Sequence, residues 1–538
     1  MREGGIISTV RKIHRHGRKS TAHAENPPAN RRIHSSLGES TNTAGNPLPT
    51  RKIHKSVWKF ADHAENPPHE RRIHSSLGES TGQPENPLLT WRIHQPGRKS
   101  TAHAENPQTL SEIRTSCGEF TTQAENPQRP RKIHRSYGKY KIGDRFMPYT
   151  VTLKKNHEKR IAEGHPWVYA NEVASITGPG KNGDLADVYS ADGRFLGRGY
   201  INHLSKILVR IFIRDGSFPD VDFYTKRIRA ANDFRRKIGF GDGDSYRAVF
   251  AESDDLPGLI VDRYGDLLSI QILTLGVEKN REIIVQALKN VFGPRGIYAR
   301  CDVAVREKEG LDLYKGPLFG EFTPETVITE NGLKMHVDLE NGQKTGYFLD
   351  QKENRAAVRR YAPNAEVLDC FCNVGGFSLN CAAAGATKVY AADISERALD
   401  EVRKNAALNS LEDKIETVQA DIFELLRRYN NENRKFGLVI LDPPAFSKSK
   451  DEADSALRGY KTINKSALKL VAPGGFLVSA SCTHFISVAS FLQMLSDAAR
   501  ESGRRVRLVE MKTQSPDHAS LMAEKESLYL KFFVLAVE

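Results

Sequence analysis

From Glu366 to the C-terminus the apolar residues fall into two alternating textures. Short apolar runs at Glu366–Cys372, Lys388–Ile394, Ile415–Ala420, Leu438–Leu441, Phe476–Ser481, Val506–Met511 and Leu528–Val537 predict strands. Between them, apolar residues three and four apart predict helices at Phe377–Ala384, Ser395–Leu411, Ile422–Tyr429, Ala456–Val471 and Ser487–Glu501. Strand alternating with helix predicts an α/β fold around a mainly parallel, doubly wound sheet of seven strands. Ligands of such sheets bind beyond the carboxyl ends of the strands.

The preceding stretch reads differently. Strands at Val151–Lys155, Trp167–Tyr169, Leu185–Tyr189 and Ile207–Ile213, broken by turns at Gly178–Gly180 and Asp192-Gly193, predict a small β-barrel over 147–222. A basic amphipathic helix follows at Phe223–Ile238. Strands at Tyr246–Ala251, Leu259–Asp262, Leu267–Leu273 and Gly296–Arg300, with a helix at Val277–Val291, make a central α+β module over 223–325. Asn-Gly turns at Asn331 and Asn341 flank a hairpin-like strand, Lys334–Leu339, which opens an α/β domain covering 326–538.

Residues 1–146 follow neither pattern. Residues 11–130 repeat every 20: Arg-Lys-Ile-His opens at Arg11, Arg51 and Arg131, Arg-Arg-Ile-His at Arg31 and Arg71, and Asn-Pro recurs at Asn26, Asn46, Asn66, Asn86, Asn106 and Asn126. Each unit has one regular Ile, too little apolar surface to offset the entropy of ordering, and its Asn-Pro disfavours helix. The leader is therefore expected to be a disordered tandem repeat. Eleven of the 17 histidines lie in it. A metal-binding array is the sharper reading and passive duplication of one short segment the blander one, which the near-identity of the units favours. Translation is expected to start at Met147, where the texture changes.

Composition adds bounds. A length of 538 residues suggests about three to four domains. No run approaches the roughly 18 apolar residues of a membrane span, and no apolar signal core opens the chain. Six cysteines are too few for a disulfide scaffold and fit a reducing cytoplasm. The net charge of +13 suggests nucleic acid, but its location matters: residues 1–146 hold 25 Lys and Arg against 13 Asp and Glu, leaving 54 against 53 for the remainder. The basic balance belongs to the leader.

Candidate chemistry sits at the strand ends. The first strand of the α/β domain carries Asp369 and runs through Phe371 and Asn373 into Gly375-Gly376, where glycines let backbone approach a ligand. The second ends in Asp393, placed for both hydroxyls of a ribose, and the third in Asp421, placed for an adenine amino group. The turn lacks a three-glycine pyrophosphate fingerprint, which favours an adenosyl ligand without phosphates. Helix-flanking acids without a ligand, or an unrelated nucleotide fold, are the alternatives. The fourth strand ends Asp442-Pro443-Pro444-Ala445-Phe446, a rigid rim that can hold a planar base against Phe446 with Asp442 on its ring edge. The fifth ends Ser481-Cys482. A thiolate there can attack C6 of a pyrimidine and turn C5 into a nucleophile, while a small buried residue at a strand end is the equal alternative. Cys370, Cys372 and Cys381 read as core or pocket lining, with no zinc spacing, so no metal is expected.

Asp369–Phe377, Asp393, Asp421 and Asp442–Phe446 resemble the motifs of class I S-adenosylmethionine-dependent methyltransferases, which have a Rossmann-like seven-stranded sheet. Gly346–Gln351, Arg458–Lys461 with Ile463-Asn464, and Ser481-Cys482 resemble the ribosomal large-subunit RNA methyltransferase I family, which makes 5-methylcytosine in 23S rRNA. Gly164–Tyr169 resembles that family's RNA-binding PUA barrel, and Glu252–Asp262 its central module. The resemblance covers about 147–538. It implies Cys482 as nucleophile with Asp442 beside it, and S-adenosylmethionine as cofactor. The cofactor contacts would be Tyr347, Gln351, Asp369, Phe371, Asn373, Gly375, Gly376, Asp393, Asp421 and Asp442. RNA would meet Phe446 and, in the barrel, Lys154, Lys155, Lys159 and Arg160, for which a solvated face is an equal explanation. The partner is then 23S rRNA or a large-subunit precursor in the cytoplasm, with no membrane, and a homodimer is left open. Asp442–Ala445 has no second cysteine, unlike other RNA cytosine-C5 enzymes, and Ala445–Lys450 resembles the rim of a guanine-N7 rRNA methyltransferase domain that lacks a counterpart of Cys482. A nitrogen methyltransferase acting on guanine or a protein amide, and a non-enzymatic RNA-binding factor, are the rival functions.

Overall fold

The computed structural model describes residues 148–447 and 449–538. The repeat leader, its histidines and Met147 lie outside the described residues.

The first sheet has six strands: β1 (Tyr149–Leu153), β2 (Trp167–Tyr169), β3 (Val173–Thr177), β4 (Leu185–Tyr189), β5 (Phe195–Ile201) and β6 (Ile207–Ile213), in the order β2-β6-β5-β4-β1-β3. β3 and β5 were not expected. β5 reads Phe-Leu-Gly-Arg-Gly-Tyr-Ile and looks like a turn in sequence, yet a Cβ on Gly199 would lie 2.0 Å from the Arg210 carbonyl oxygen, so the close strand crossing demands glycine. A short helix, α1 (Lys159–Ala162), precedes β2. Val151, Leu153, Ile161, Val168, Val188 and Ile211 fill this sheet's own core.

Helix α2 (Val221–Lys237), capped by Asp220, leads into β7 (Tyr246–Phe250), β8 (Leu259–Tyr264) and β9 (Leu267–Ile272). The expected single helix at Val277–Val291 is two, α3 (Leu275–Lys279) and α4 (Arg281–Phe292), because the chain breaks at Asn280. β10 (Gly296–Cys301) and β11 (Tyr314–Phe319) complete a five-stranded sheet ordered β11-β10-β9-β8-β7. β11 was hidden by Gly316-Pro317, which an edge strand tolerates. Leu185, Tyr200 and Phe212 of the first sheet share a core with Tyr224 and Ile228 of α2 and Tyr246 of β7, so the two sheets pack as neighbours through apolar burial. Trp167 Nε1 donates to Glu252 at 2.9 Å, and Arg210 bridges Glu252 and Glu309, both at 3.0 Å.

A hairpin, β12 (Glu325–Glu330) and β13 (Leu333–Asp338), turns at Asn331-Gly332. After α5 (Lys352–Val358) come β14 (Glu366–Cys370), α6 (Gly376–Ala383), β15 (Lys388–Asp393), α7 (Glu396–Leu408), β16 (Ile415–Gln419), α8 (Ile422–Asn431), β17 (Phe436–Leu441), α9 (Ala453–Leu470), β18 (Val471–Ser481), α10 (Val488–Ser502), β19 (Val506–Lys512) and β20 (Lys531–Val537). The sheet order is β16-β15-β14-β17-β18-β20-β19, with β20 antiparallel to both neighbours. The order reverses between β14 and β17, so a crevice opens at their carboxyl ends. A buried network joins this sheet to the central one: Arg247 pairs bidentately with Asp262 at 2.6 and 2.9 Å, its backbone N–H donates to Asp517 at 2.7 Å, and Thr345 donates to Asp262. No described helix is long and apolar enough to cross a membrane.

Candidate active site

The loop after β14 is wound tightly. Phe371, Asn373 and Gly375 all have positive φ, at 62°, 49° and 83°. Left-handed backbone at two non-glycine residues is costly and is held by specific bonds: the Asn373 N–H donates to Asp393 Oδ2 at 3.0 Å, and the Asn373 side chain accepts from Val374 N–H at 2.7 Å. Packing also requires the glycines, since a Cβ on Gly376 would meet Arg355 Cδ at 2.6 Å and Tyr347 Oη at 3.2 Å. Tyr347 is buried under this turn and donates to Glu330 at 3.1 Å.

Three acids converge at the crevice. Asp369 is fully buried; Ser378 donates to its Oδ2 at 2.6 Å, and its Oδ1 has no protein partner. Burial pushes its carboxyl up to about 7, opposed by Ser378 and reinforced by Asp442 and Asp393. Asp442 follows β17 and receives Gln351 Nε2 on both oxygens at 3.0 Å. Its carboxyl is also raised to about 7, by burial first and then by the charge of Asp350. Asp393 ends β15 and accepts backbone N–H groups of Asn373 and Ser395, both at 3.0 Å. Clustered carboxylates in low dielectric repel one another, and a ligand carrying positive charge relieves them. The sulfonium and ammonium of S-adenosylmethionine fit that demand. Asp421 accepts from Glu424 N–H at 3.1 Å and caps α8, so one of its oxygens does what a helix-flanking acid does.

Across the crevice, Phe446 packs on Tyr460 at 4.4 Å and on Phe423 at 6.1 Å between centroids. A Cβ on Gly459 would lie 3.1 Å from the Phe446 ring, so α9 brings its backbone against that ring. Tyr460 also bonds Ser481 and Thr483 hydroxyls, both at 3.1 Å, tying α9 to the end of β18. Cys482 lies between those two residues and is half-buried. Burial pushes its thiol up to about 11; Lys344 and Lys531 pull it down, and Asp442 and Asp350 push it up. The other four described cysteines, Cys301, Cys370, Cys372 and Cys381, are buried. Among the described residues no cluster of His, Cys, Asp or Glu is placed to hold a metal ion.

Sequence reasoning missed several neighbours of Cys482. Lys344, at a left-handed φ of 53°, pairs with Asp350 at 2.8 Å, and Tyr529 donates to the same Asp350 oxygen. Burial alone would raise the Asp350 carboxyl, but Lys344 and His518 hold it well below the usual carboxylate range. Lys531 is buried in β20. A lone lysine inside the apolar run Leu530–Val537 was the available signal.

The four basic residues expected in the first domain separate. Lys154, Lys155 and Lys159 are exposed, Lys154 donating to the Asn171 carbonyl at 2.8 Å. Arg160 turns inward: it holds both Glu172 oxygens at 2.8 and 2.9 Å and the Trp167 carbonyl at 3.0 Å. Its guanidinium thus braces the corner between β2 and β3.

Comparison with known proteins agrees with this layout. Residues 151–214 match a PUA-like domain family, and residues 313–528 match an S-adenosylmethionine-dependent methyltransferase family. The chain is 40% identical over 398 residues to the ribosomal RNA large subunit methyltransferase I of Klebsiella pneumoniae (strain 342), covering 73% of this chain and 99% of that one. The protein of that name from Escherichia coli O1:K1 / APEC is 40% identical over 395 residues, covering 73% and 100%. Among solved structures, one described as a SAM-dependent methyltransferase from Streptococcus mutans aligns with TM-score 0.63 at 21% identity, over 72% of this chain and 100% of that one. Another, a methyltransferase complexed with SAH, aligns with TM-score 0.64 at 21% identity, over the same shares. The chain therefore carries an S-adenosylmethionine-dependent methyltransferase domain that follows a PUA-like domain.

Proposed function

The chain belongs to the ribosomal RNA large subunit methyltransferase I family, and from that membership we propose that it methylates C5 of a cytosine in large-subunit ribosomal RNA in the cytoplasm, with Cys482 as nucleophile. The observation that carries the reading is that Cys482 directly follows β18, on the same sheet edge as Asp442, which follows the adjacent β17 and whose charge raises the thiol.

Cytosine C5 is a poor nucleophile until a group adds at C6. Cys482 makes that addition, forming a C6–S bond and placing electron density on C5 and N3. A carboxyl held near 7 is half protonated at neutral pH, so Asp442 can donate to N3 as that charge develops. S-adenosylmethionine, when bound, supplies an electrophilic methyl group. Asp393, Asp369, Gln351 and the wound loop from Phe371 to Gly376 hold and orient it, with Tyr347 beneath the turn and Asp421 flanking. Phe446 offers a braced aromatic face for a base flipped out of its stack. Lys154, Lys155 and Lys159 meet backbone phosphate on the PUA-like domain.

The sequence Ala445–Lys450, which resembles that of a guanine-N7 rRNA methyltransferase domain, supports a second reading, nitrogen methylation of guanine, which needs no thiol. Mass mapping of large-subunit rRNA nucleosides from a strain lacking the chain separates the two. Loss of one 5-methylcytidine is expected; loss of a methylguanosine with all 5-methylcytidines retained would overturn the proposal.

A further inference from the structure

Lys531 is 5% exposed, and its Nζ donates to the carbonyl oxygen of Thr483 at 2.5 Å and of Tyr529 at 2.8 Å. Thr483 is the residue after Cys482, and Lys531 pairs in register with Ser481, the residue before it. Among the described residues no carboxylate bonds to Lys531. Lys344, by contrast, is paired with Asp350. A lysine kept only as a cation would find an anion when buried. A neutral amine has two N–H bonds and one lone pair, and here two carbonyls account for the two N–H bonds.

We infer that Lys531 accepts the proton of the Cys482 thiol as sulfur attacks the base, and so serves as the activating residue of the nucleophile. The inference rests on the cytosine reading above. The S–H bond breaks, its proton moves to the Nζ lone pair, and the freed sulfur electron pair forms the C6–S bond. After methyl transfer a water molecule takes the C5 proton, the freed C–H electron pair re-forms the C5=C6 double bond as the C6–S bond breaks, and sulfur leaves as thiolate beside the Lys531 ammonium, which returns its proton.

The surroundings agree. The groups facing Cys482 are Lys344 and Asp350 from the segment before α5, Asp442 after β17, Tyr460 on α9, and Lys531. Tyr529 and His484, their rings tilted against each other at 5.3 Å between centroids, close the same side. Burial lowers the Lys531 amine to about 8, with the Cys482 thiolate opposing. Above about pH 8 the resting pair is thus thiol and free amine, and sulfur is released only when a base is there to be attacked.

The test uses the full chain and its Lys531→Met and Lys531→Arg variants. Adduct formation on an rRNA fragment containing 5-fluorocytosine, and iodoacetamide alkylation of Cys482 read by peptide mass, are each followed from pH 6.5 to 9.5. Wild-type adduct formation should be bell-shaped across this range, limited at low pH by the Lys531 ammonium and at high pH by the ionised Asp442. Both variants should slow it by roughly a hundredfold, the usual worth of a positioned base. Lys531→Arg keeps the cation, so its alkylation profile should stay near wild type, whereas Lys531→Met should alkylate only at higher pH. A merely structural lysine would not split the two readouts in this way. Should Lys531→Met fail to fold, Lys531→Arg and the wild-type profile decide. Adduct formation within threefold of wild type in Lys531→Arg, or a flat wild-type profile, would overturn the inference. Absence of any wild-type adduct would instead overturn Cys482 as nucleophile; unshifted alkylation in Lys531→Met would then also remove the pairing.

Discussion

One amide nitrogen of Gln351 serves both carboxylate oxygens of Asp442, at 3.0 Å each, while its carbonyl accepts from Asn354 at 2.7 Å. The amide is thereby fixed in orientation and the acid aimed into the crevice. Gln351 lowers the Asp442 carboxyl against the burial that raises it, so Gln351→Leu should move it further up. Hydrogen bonds to a charged group are worth about 1.5–3 kcal/mol, and turnover should fall about ten- to a hundredfold. The pH–rate profile of the variant checks this: its alkaline limb, where Asp442 loses the proton it donates, should shift to higher pH.

Asp369 links stability to pH. Its folded value of about 7 lies above the ordinary 3.8, so the folded state binds the extra proton between these values. Stability from this group is therefore greatest at low pH and is lost as pH rises through about 7, by on the order of 4 kcal/mol across the window. Thermal melts at pH 5, 6.5 and 8 should show Asp369→Asn losing less stability than wild type as pH rises. Added S-adenosylmethionine should stabilise wild type more at pH 8 than at pH 5, because its cations favour the ionised acids.

On the PUA-like domain, Lys154, Lys155 and Lys159 are exposed, while Arg160 is engaged with Glu172. Replacing the three lysines with alanine should make the log–log salt dependence of rRNA binding shallower by about 2, at roughly 0.7 per lost phosphate contact. S-adenosylmethionine affinity should not change. An unaltered salt slope would place the RNA on another face.

The seven-stranded sheet was legible because five of its strands, β14 to β18, are each followed by a helix, and Asp369, Asp393 and Asp442 fall at the ends of three of them. The first two sheets were less legible. β5 and β11 carry glycines and a proline that mark turns elsewhere, and the reasons lie in a strand crossing and a sheet edge that sequence does not display. The surroundings of Cys482 were hidden for a related reason. Lys344 and Asp350 come from the segment before α5, and Tyr529 and Lys531 from the chain's end. Only the pairing of β18 with β20 brings the latter beside the thiol. Arg160 shows the converse: in sequence it is one more surface cation, in the fold a brace.

The central claim is that Cys482 carries the reaction, and methyl transfer to unmodified large-subunit rRNA by Cys482→Ala tests it most directly. The account predicts that 5-methylcytidine formation falls to background while S-adenosylmethionine and RNA still bind as in wild type, because Asp393, Asp369, Gln351 and the exposed lysines are untouched. Continued formation of 5-methylcytidine by Cys482→Ala would contradict it.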